Sequence, residues 1–487
     1  MNTPPALPKI RASHRRWVVA IVTVLFLPPI ALVIWYLLVR SSNASAIRKL
    51  ENEARQRGEP LTLAELKAKY PPIPDEENAA AAFLELWQGE DPVYWLAFEN
   101  GERPLPERET ETYDPALPYL GSEAHRMARV GPLNTNSLAA AESYLNAKSA
   151  YLEQMRAALR RPRFRFPINF EAGPAALLPH LAMLRTEAQN FHIVALVATE
   201  RGDKRAAIAA LGDGARIGQL LADEPLLLSQ LVRVACFVNV LEGTEQLLSR
   251  QTLAAEELEK LRLFLEQLNL PGAAKAALVN ERPFSLCVYD PELAARVAVD
   301  SSFGSESENP EQTARSVRTG FRLLRSIGYL DLDRYLMLET FNQAVPLAAQ
   351  ETPESLQKLD ALFDEVATKA RKFPPKFFSA MLLPSLKKVP AKFAAFEARR
   401  RSALVALAVE RFRLEHEGRT PEQPGDLVPA YLPAEPLDPF DGRALRFHRR
   451  ERGYVVYSIG SDGEDNGGKE NVRGAVKQTD VTFIVER

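Results

Sequence analysis

The chain is poor in the residues from which compact reactive sites are built. It has 487 residues but only two cysteines, Cys236 and Cys287, and six histidines. A disulfide framework and a zinc site both need clustered cysteines or histidines, so the sequence excludes these two classes. The apolar surroundings of both cysteines favour buried free thiols. A single disulfide between them, formed in an oxidising compartment, stays open as an alternative.

Neither sign of charge is in excess. Sixty-one Lys and Arg residues against 63 Asp and Glu residues give a formal net charge of -2 and a pI of about 6.4. A chain that binds nucleic acid usually carries a basic patch, so no nucleic-acid partner is predicted. The composition also excludes collagen, coiled-coil rods and disordered chains, and the length indicates two to four domains.

Short catalytic motifs are missing as well. The chain has no Gly-x-Ser-x-Gly elbow, phosphate-binding loop or dinucleotide fingerprint. His180 and His192 lie in an apolar helical stretch, which is typical of packed histidines. Frequent acidic residues usually form a solvated face, so no catalytic and no cofactor-binding residue is predicted. The carboxylates that form a conceivable cluster are Glu281, Asp290, Asp331, Asp333 and Glu339.

One long apolar run is present near the N-terminus. Residues 17–39 read WVVAIVTVLFLPPIALVIWYLLV without a charge, and at about 1.5 Å per residue they can cross a hydrocarbon core of about 30 Å. Four basic residues precede the run and favour a cytoplasmic N-terminus. These residues are Lys9, Arg11, Arg15 and Arg16. The sequence therefore predicts a cytoplasmic tail at 1–16, a transmembrane helix at 17–39 and a single-pass inner-membrane protein whose bulk is extracytoplasmic.

Two other interpretations of this run stay open. A cleaved signal peptide is one, because Ala44-Ser45-Ala46 resembles a small-residue cleavage site. The run is longer than the usual apolar region of about 7–15 residues, which favours an uncleaved anchor. A buried core helix is the other interpretation. Pro28-Pro29 does not exclude a membrane span, since proline is tolerated in spanning helices.

The rest of the chain predicts a mainly α-helical fold. Apolar residues recur with helical spacing, among other places from Ser316 to Leu338, and turn signals divide them into irregular α-hairpins. Thr62 with Glu65 three residues later is a capping-box pattern, which predicts the start of a helix. The stretch closed by Gly202-Asp203 resembles one tetratricopeptide-like hairpin, and small residues such as Ala207, Ala210 and Ala215 allow close packing there. The predicted divisions are 40–135 (juxtamembrane helices and an irregular connection), 136–300 (α-helical hairpin body), 301–313 (linker), 314–390 (second helical segment) and 391–487 (small α+β domain).

The α+β character of the C-terminal division follows from its pattern. A long helix, roughly Ala391 to His416, precedes short runs with β character. These runs are Ala444 to His448, Tyr454 to Ser458 and Val481 to Val485. Proline, glycine and aspartate separate them, which predicts a helix followed by a small antiparallel sheet.

This C-terminal division resembles the globular head of the major pseudopilin of type II secretion systems. The matching pieces are Arg411-Phe412-Arg413 with Gly418, Leu427-Val428-Pro429, the Pro436 to Gly442 loop PLDPFDG, and Tyr457 to Gly463, YSIGSDG. The resemblance covers about a fifth of the chain. It implies a helix packed on a small sheet, with an acidic loop that holds calcium in many such heads.

The resemblance therefore implies a candidate calcium site. Its ligands would be Asp462, Glu464 and Asp465 in the acidic loop, with Asp480 before the last strand. Calcium takes six to eight oxygen ligands from carboxylates and carbonyls, and the glycines of the loop let the backbone fold around an ion. An EF-hand is excluded, because Arg473 stands where that loop needs glutamate. The alternative is a solvated acidic turn between two strands.

The layout differs from a pseudopilin in one important respect. No prepilin cleavage glycine with its glutamate lies near Trp17, so the chain is not predicted to polymerise through its N-terminal helix. The whole layout also resembles single-pass envelope proteins of planctomycete-type bacteria, a likeness that implies no activity.

The predicted function is a membrane-anchored extracytoplasmic binding or assembly protein, with protein partners in the envelope and a link to a type II secretion or pseudopilus-like system. The alternative is an envelope hydrolase with an active site in the helical body, marked by a cleft that contains Glu281 and a histidine. A structural spacer without a ligand is the third hypothesis.

Overall fold

The computed structural model describes most of the chain beyond the predicted membrane span. The described residues are 42–90, 129, 131–300, 310–372, 376–470 and 480–487. The predicted transmembrane helix at 17–39 and most of the irregular connection before residue 135 lie outside them. So do residues 301–309 of the predicted linker. The first described helix, α1, covers residues 42–56.

The fold is mainly helical. Helices α2 to α5 are Leu63–Ala68, Ala79–Glu90, Thr135–Ala147 and Ser149–Ala158. Helices α6 to α11 are Pro179–Glu200, Lys204–Leu220, Leu227–Arg250, Ala255–Gln267, Ala273–Cys287 and Pro291–Asp300. Helices α12 to α16 are Pro310–Ser326, Tyr329–Ala348, Pro353–Arg371, Phe377–Leu386 and Lys388–Glu415. Short 3-10 helices cover Phe170–Ala175 and Pro424–Leu427.

Local sequence signals account for several helix ends. The capping box predicted at the start of α2 is confirmed, because Thr62 and Glu65 each bond the backbone N–H of the other. The Gly202-Asp203 turn also joins two helices. Gly202 has a φ of 75°, and the Asp203 carboxylate accepts a hydrogen bond from the backbone N–H of Ala206 at 3.0 Å. Helices α6 and α7 therefore form the predicted hairpin.

Helices α6, α7 and α8 pack closely at residues that have little or no side chain. The predicted alanines 207, 210 and 215 are all buried. Gly218 on α7 lies against the Phe237 ring of α8, where an added Cβ would be 2.4 Å from a ring carbon. A Cβ added at Gly243 on α8 would lie 2.5 Å from a side-chain carbon of Leu211. The hairpin body is therefore held by close approach of helix backbones.

Helix α8 is the one helix in the described part of the chain that is long and apolar enough to cross a membrane, judged by length and composition. It lies inside the fold, where it contacts α6, α7, α10, α16 and the last strand. Its buried residues include Thr244, Glu245 and Gln246. This finding does not bear on the predicted span at 17–39.

The C-terminal module, which we define as the second half of α16 and the residues after it, contains a three-stranded antiparallel sheet in the order β1-β2-β3. The strands are β1 Arg446–Arg449, β2 Tyr454–Ser458 and β3 Val481–Val485. The bounds predicted for β2 and β3 are confirmed, and β1 begins two residues later than predicted. Helix α16 packs on β2 and β3, which is the predicted α+β arrangement.

One hydrophobic core joins this module to the helical body. A single buried cluster contains Phe237 and Leu241 from α8, Val409 from α16, Val456 from β2 and Phe483 from β3. The core therefore extends across the predicted boundary at residue 391.

Two details of the second helical segment differ from the sequence interpretation. Helix α12 begins at Pro310, so the last four residues of the predicted linker 301–313 are helical, since proline is tolerated in the first turn of a helix. The continuous helical spacing predicted from Ser316 to Leu338 is interrupted at Gly328. This glycine has a φ of 71° and separates α12 from α13.

Candidate functional site

The predicted calcium ligands lie in the loop after β2, which closes on the start of β3. Both carboxylate oxygens of Asp480 accept backbone hydrogen bonds, from Asn466 N at 3.2 Å and from Gly468 N at 2.7 Å. Burial raises the pKa of Asp480, and these two N–H donors oppose the rise. Asp480 therefore pins the loop through its backbone.

The other predicted ligands also have partners within the loop. Asp465 accepts hydrogen bonds from Gly467 N at 2.9 Å and from the Tyr457 hydroxyl at 3.1 Å. Asp462 accepts from the backbone N–H of Glu464 at 3.2 Å, and the Glu464 side chain is exposed. No group of three or more histidine, cysteine or acidic side chains in the described residues is placed to hold a metal ion. Calcium binding stays a prediction of the resemblance.

The two motifs most specific to the resemblance meet at a buried aspartate. Asp438 of the PLDPFDG loop accepts hydrogen bonds from the Ser458 hydroxyl at 2.8 Å and from Ile459 N at 3.0 Å. The same carboxylate accepts from Phe440 N at 2.9 Å and from Arg446 Nη1 at 2.7 Å. The sequence predicted no role for Asp438, although its place between Leu437 and Pro439 in the PLDPFDG loop was an available signal. Asp438 holds the loop against the sheet.

Strand β3 is fastened to α8 by a second buried carboxylate. Glu245 of α8 accepts a hydrogen bond from Ile484 N at 2.7 Å and another from Arg399 Nη2 at 3.0 Å. Residues 399–401 form a basic run that looks like a solvated helix face, but its first two members are not exposed. Arg399 is turned inward to Glu245, and Arg400 is buried. Helix α8 thereby covers the sheet edge that β3 forms.

A cavity of about 350 Å³ lies where the helical body meets the C-terminal module. Its apolar wall includes Leu270, Leu359 and Phe393, and its polar groups are Glu351, Glu397, Arg400 and Arg401. The size and the mixture of an apolar wall with a few polar groups are typical of ligand pockets.

Arg401 lies at one side of this cavity and is held in place from two directions. Its Nε donates to Glu397 at 2.7 Å, and its Nη1 donates to the carbonyl oxygen of Leu437 at 2.6 Å. Burial opposes ionisation of Glu397, but hydrogen bonds from Arg400 and Arg401 keep its pKa below the usual value. Nη2 of Arg401 makes no hydrogen bond within the part of the chain that the structure describes.

A second cavity of about 630 Å³ begins on the other side of Arg401. Leu404 of α16 and the proline-rich segment 429–437 form its apolar wall, and Leu437 is 51% exposed. The basic residues Arg262 and Arg411 lie at its rim, where each pairs with Glu259. We call the two cavities together, with Arg401 between them, the junction cleft.

Glu281, the carboxylate that the hydrolase hypothesis named, lies elsewhere. It is half-buried on α10, and no hydrogen bond or ion pair reaches its carboxylate in the described structure. Burial raises the pKa of Glu281 to about 7. The neighbouring Arg282 does not pair with it but donates to Glu59 at 2.7 Å. Neither Glu281 nor a histidine lines the junction cleft.

The histidines of the body are packed, as the sequence predicted. His180 is fully buried, contacts both carboxylate oxygens of Glu224 at 2.9 and 3.0 Å, and stacks on Phe166. His192 contacts the side-chain oxygen of Gln246 at 2.9 Å. These contacts are explained by packing inside a helical bundle.

The remaining carboxylates of the conceivable cluster do not come together in one site. Asp333 is buried and accepts from the backbone N–H groups of Phe378 and Ser379 at the start of α15. Asp290 caps α11, and Glu339 accepts from the hydroxyl of a tyrosine one turn earlier. The two cysteines are free, with Cys236 buried. Asp290, Asp333 and Glu339 therefore each have a local structural role.

Comparison with known proteins adds no further information. No protein family, no curated protein and no solved structure matches this chain. The pseudopilin resemblance therefore rests on the sequence motifs alone, and the junction cleft is a candidate binding site.

Proposed function

We propose that the chain is a membrane-anchored binding protein of a bacterial envelope that holds an extended segment of a protein partner in the junction cleft. The observation that carries the proposal is the position of Arg401. It lies between two cavities that each have an apolar wall, is fixed by Glu397 and the Leu437 carbonyl, and keeps one guanidinium nitrogen without a partner in the described structure.

The two cavities would bind different parts of the partner segment. The smaller one, with a wall that includes Leu359 and Phe393, has room for one or two apolar side chains. The larger and more open one follows the segment 429–437, along which an extended chain can lie. The free nitrogen of Arg401 would donate to a carbonyl or carboxylate oxygen of the partner, and a fixed guanidinium loses little freedom on binding.

The cellular setting comes from the sequence. Residues 17–39 supply the anchor, and the wall of the larger cavity includes Pro436 and Leu437 of the loop that resembles a pseudopilin head. These features favour a partner in an envelope assembly of the pseudopilus or type II secretion class. The hydrolase alternative has less support, because neither Glu281 nor a described histidine lines the cleft.

A photocrosslinking experiment in native membranes tests the proposal. A photoreactive amino acid replaces Leu437 in the full-length chain, and the matched control carries it in place of Leu228, which is 54% exposed and lies outside the cleft. We expect a discrete protein adduct at residue 437 and none at residue 228. Adding Arg401→Ala should lower the yield of the adduct at residue 437 several-fold.

The outcomes that contradict the proposal are equally clear. Adducts of equal yield at the two positions would mean that exposure alone determines crosslinking. No adduct at residue 437, or an adduct that Arg401→Ala leaves unchanged, would remove the junction cleft as a partner site.

A further inference from the structure

Exposed apolar side chains are concentrated at one end of the molecule. Of the eight large apolar side chains that are exposed in the described residues, four form two pairs, each one helical turn apart. Leu323 and Ile327 lie at the end of α12, with 62% and 56% exposure. Phe377 and Met381 lie on α15, with 59% and 54% exposure. Scattered single residues need no explanation, but paired ones on neighbouring helices do.

The two helices that carry these pairs are adjacent. The rings of Phe321 on α12 and Phe378 on α15 have centroids 6.1 Å apart. Phe378 in turn lies 5.4 Å from the ring of Phe377. The four exposed side chains therefore belong to one end of the fold.

Helix α12 is strongly amphipathic, yet it buries none of its described side chains. Val317, Phe321 and Leu324 share one face and are only half-buried. A helix of a soluble protein normally buries its apolar stripe against the core. The opposite side carries arginines that outnumber the one acidic residue of the helix, Glu311. These arginines are Arg315, Arg318, Arg322 and Arg325.

Most of the positive charge at this end is unpaired. Arg318 donates to Glu292 at 2.8 Å, whereas the other three arginines of α12 form no ion pair in the described structure. Three further cations flank the start of α15, and none of them has an acidic partner among the described residues. They are Arg371, Lys372 and Lys376. The acidic residue that follows α12 most closely along the chain is Asp331, on the first turn of α13.

Helix α13 contacts both α12 and α15, and α1, the first described helix after the predicted anchor, lies beside α13. Glu51 of α1 pairs with Arg334 at 2.6 Å, and Asn342 of α13 contacts both Arg57 and the Leu50 carbonyl oxygen at 3.0 Å. Helix α1 is therefore fastened to the helix that both α12 and α15 contact. Residue 42 follows the predicted span 17–39 by three residues.

We propose that this end is a membrane face that rests on an anionic bilayer. The membrane face comprises Leu323, Ile327, Phe377 and Met381 with the cations of α12 and α15. The proposal rests on the anchor of the proposed function, which brings residue 42 to the bilayer surface. An amphipathic helix with arginines on its polar face lies in the plane of the interface, with apolar residues entering the headgroup region and cations near lipid phosphates.

Acrylamide quenching of a fluorescent amino acid tests the membrane face directly. The full-length chain carries the fluorophore in place of Ile327 or Met381, and the control carries it in place of Leu263, which is 48% exposed on α9. Proteoliposomes contain equal parts of phosphatidylcholine and phosphatidylglycerol. We expect quenching at residues 327 and 381 to be several-fold weaker than at residue 263. Arg322→Glu with Arg325→Glu should restore quenching.

This design tests the predicted anchor and the proposed membrane face separately. Extraction with alkaline carbonate reports whether the chain spans the bilayer, while quenching reports the environment of the face itself. Equal quenching at all three positions contradicts the membrane face whether or not carbonate extracts the chain. Protection that persists after both arginines are replaced also contradicts it, because the charge would then have no part.

Discussion

The hairpin body and the C-terminal module are held together by different means. In the body, α7 meets α8 where Gly218 leaves room for the Phe237 ring. The loops and strands of the module are fastened by carboxylates. Asp438 of the module and Glu245 of α8 accept hydrogen bonds from backbone N–H groups and from arginines. The first contact depends on volume, and the second depends on charge and hydrogen-bond partners.

This difference predicts how each region fails. A close helix contact loses stability when atoms are added, since the interior has no space to accept them. A buried carboxylate with several donors loses stability when it is removed, because the donors keep their desolvation cost without a partner. Substitutions of each kind in each region therefore test whether the contrast is real.

The largest effect is expected for Asp438→Ala in the module. The substitution removes the acceptor of two backbone N–H groups, the Ser458 hydroxyl and Arg446, and we expect a loss of about 4 kcal/mol in the free energy of unfolding. Urea denaturation of the purified protein measures it. Asp441→Ala is the matched control, because Asp441 binds the same arginine but no strand backbone. Equal losses for the two variants would show that Asp438 does not hold the loop to the sheet.

A slightly smaller effect is expected for Gly218→Ala in the body. The added Cβ would lie 2.4 Å from the Phe237 ring, and overpacking of this kind costs about 3 kcal/mol. Gly212→Ala on the same helix is the control, because nothing lies within 4 Å of its Cβ position. Alanine is a better helix former, so this variant should gain about 0.5 kcal/mol. Thermal melting of both variants measures the two effects. If Gly218→Ala is as stable as the parent protein, the body does not depend on close packing at this contact.

A third effect should depend on pH and comes from the body. The pKa of Glu281 is about 7 in the folded chain and lower in the unfolded chain, so the folded state binds more protons between these values. Stability should therefore fall as pH rises from about 4.5 to 7 and stay low above it. Glu281→Gln should remove this fall and stabilise the protein by about 2 kcal/mol at pH 8.

The control for this measurement is Glu311→Gln, an exposed carboxylate on α12. Urea denaturation at several pH values compares the two variants with the parent protein. If both variants follow the same pH dependence as the parent, Glu281 does not cause the expected fall in stability between about pH 4.5 and 7.

The smallest effect is expected in the acidic loop. Without calcium, Asp480→Ala should cost about 1 kcal/mol, because two backbone N–H groups lose their acceptor. The pseudopilin resemblance predicts in addition that calcium raises the melting temperature and that Asp462→Ala removes the rise. Melting curves of the full chain in calcium and in chelator test both points. Identical curves would leave the loop as a hydrogen-bonded turn.

Local signals along the chain predicted much of the fold. The capping box at Thr62, the turn at Gly202-Asp203 and the β runs after Gly418 each depend on residues close in sequence, and each structure formed where expected. Proline was less informative, because Pro310 and Pro353 begin helices and Pro384 lies inside α15. These prolines occupy helices whose neighbours supply the packing.

The candidate site was much harder to predict. Arg401 is part of a run that looks like a solvated helix face. Helical spacing allows its i,i+4 pair with Glu397 on the same helix, but its contact with the Leu437 carbonyl joins residues 36 apart. The contact of Glu245 with Ile484 joins residues 239 apart. No periodicity or spacing reports such contacts, since they depend on how distant elements dock.

The fastening of β3 to α8 also has a consequence for biosynthesis. Glu245 is synthesised long before Ile484, so a chain still on the ribosome contains α8 without the strand that covers it. A polypeptide that stops before Val481 keeps the apolar residues of the shared core open to water. We expect such truncated chains to be recognised and degraded, so that the synthesis of strand β3 decides whether the whole protein survives.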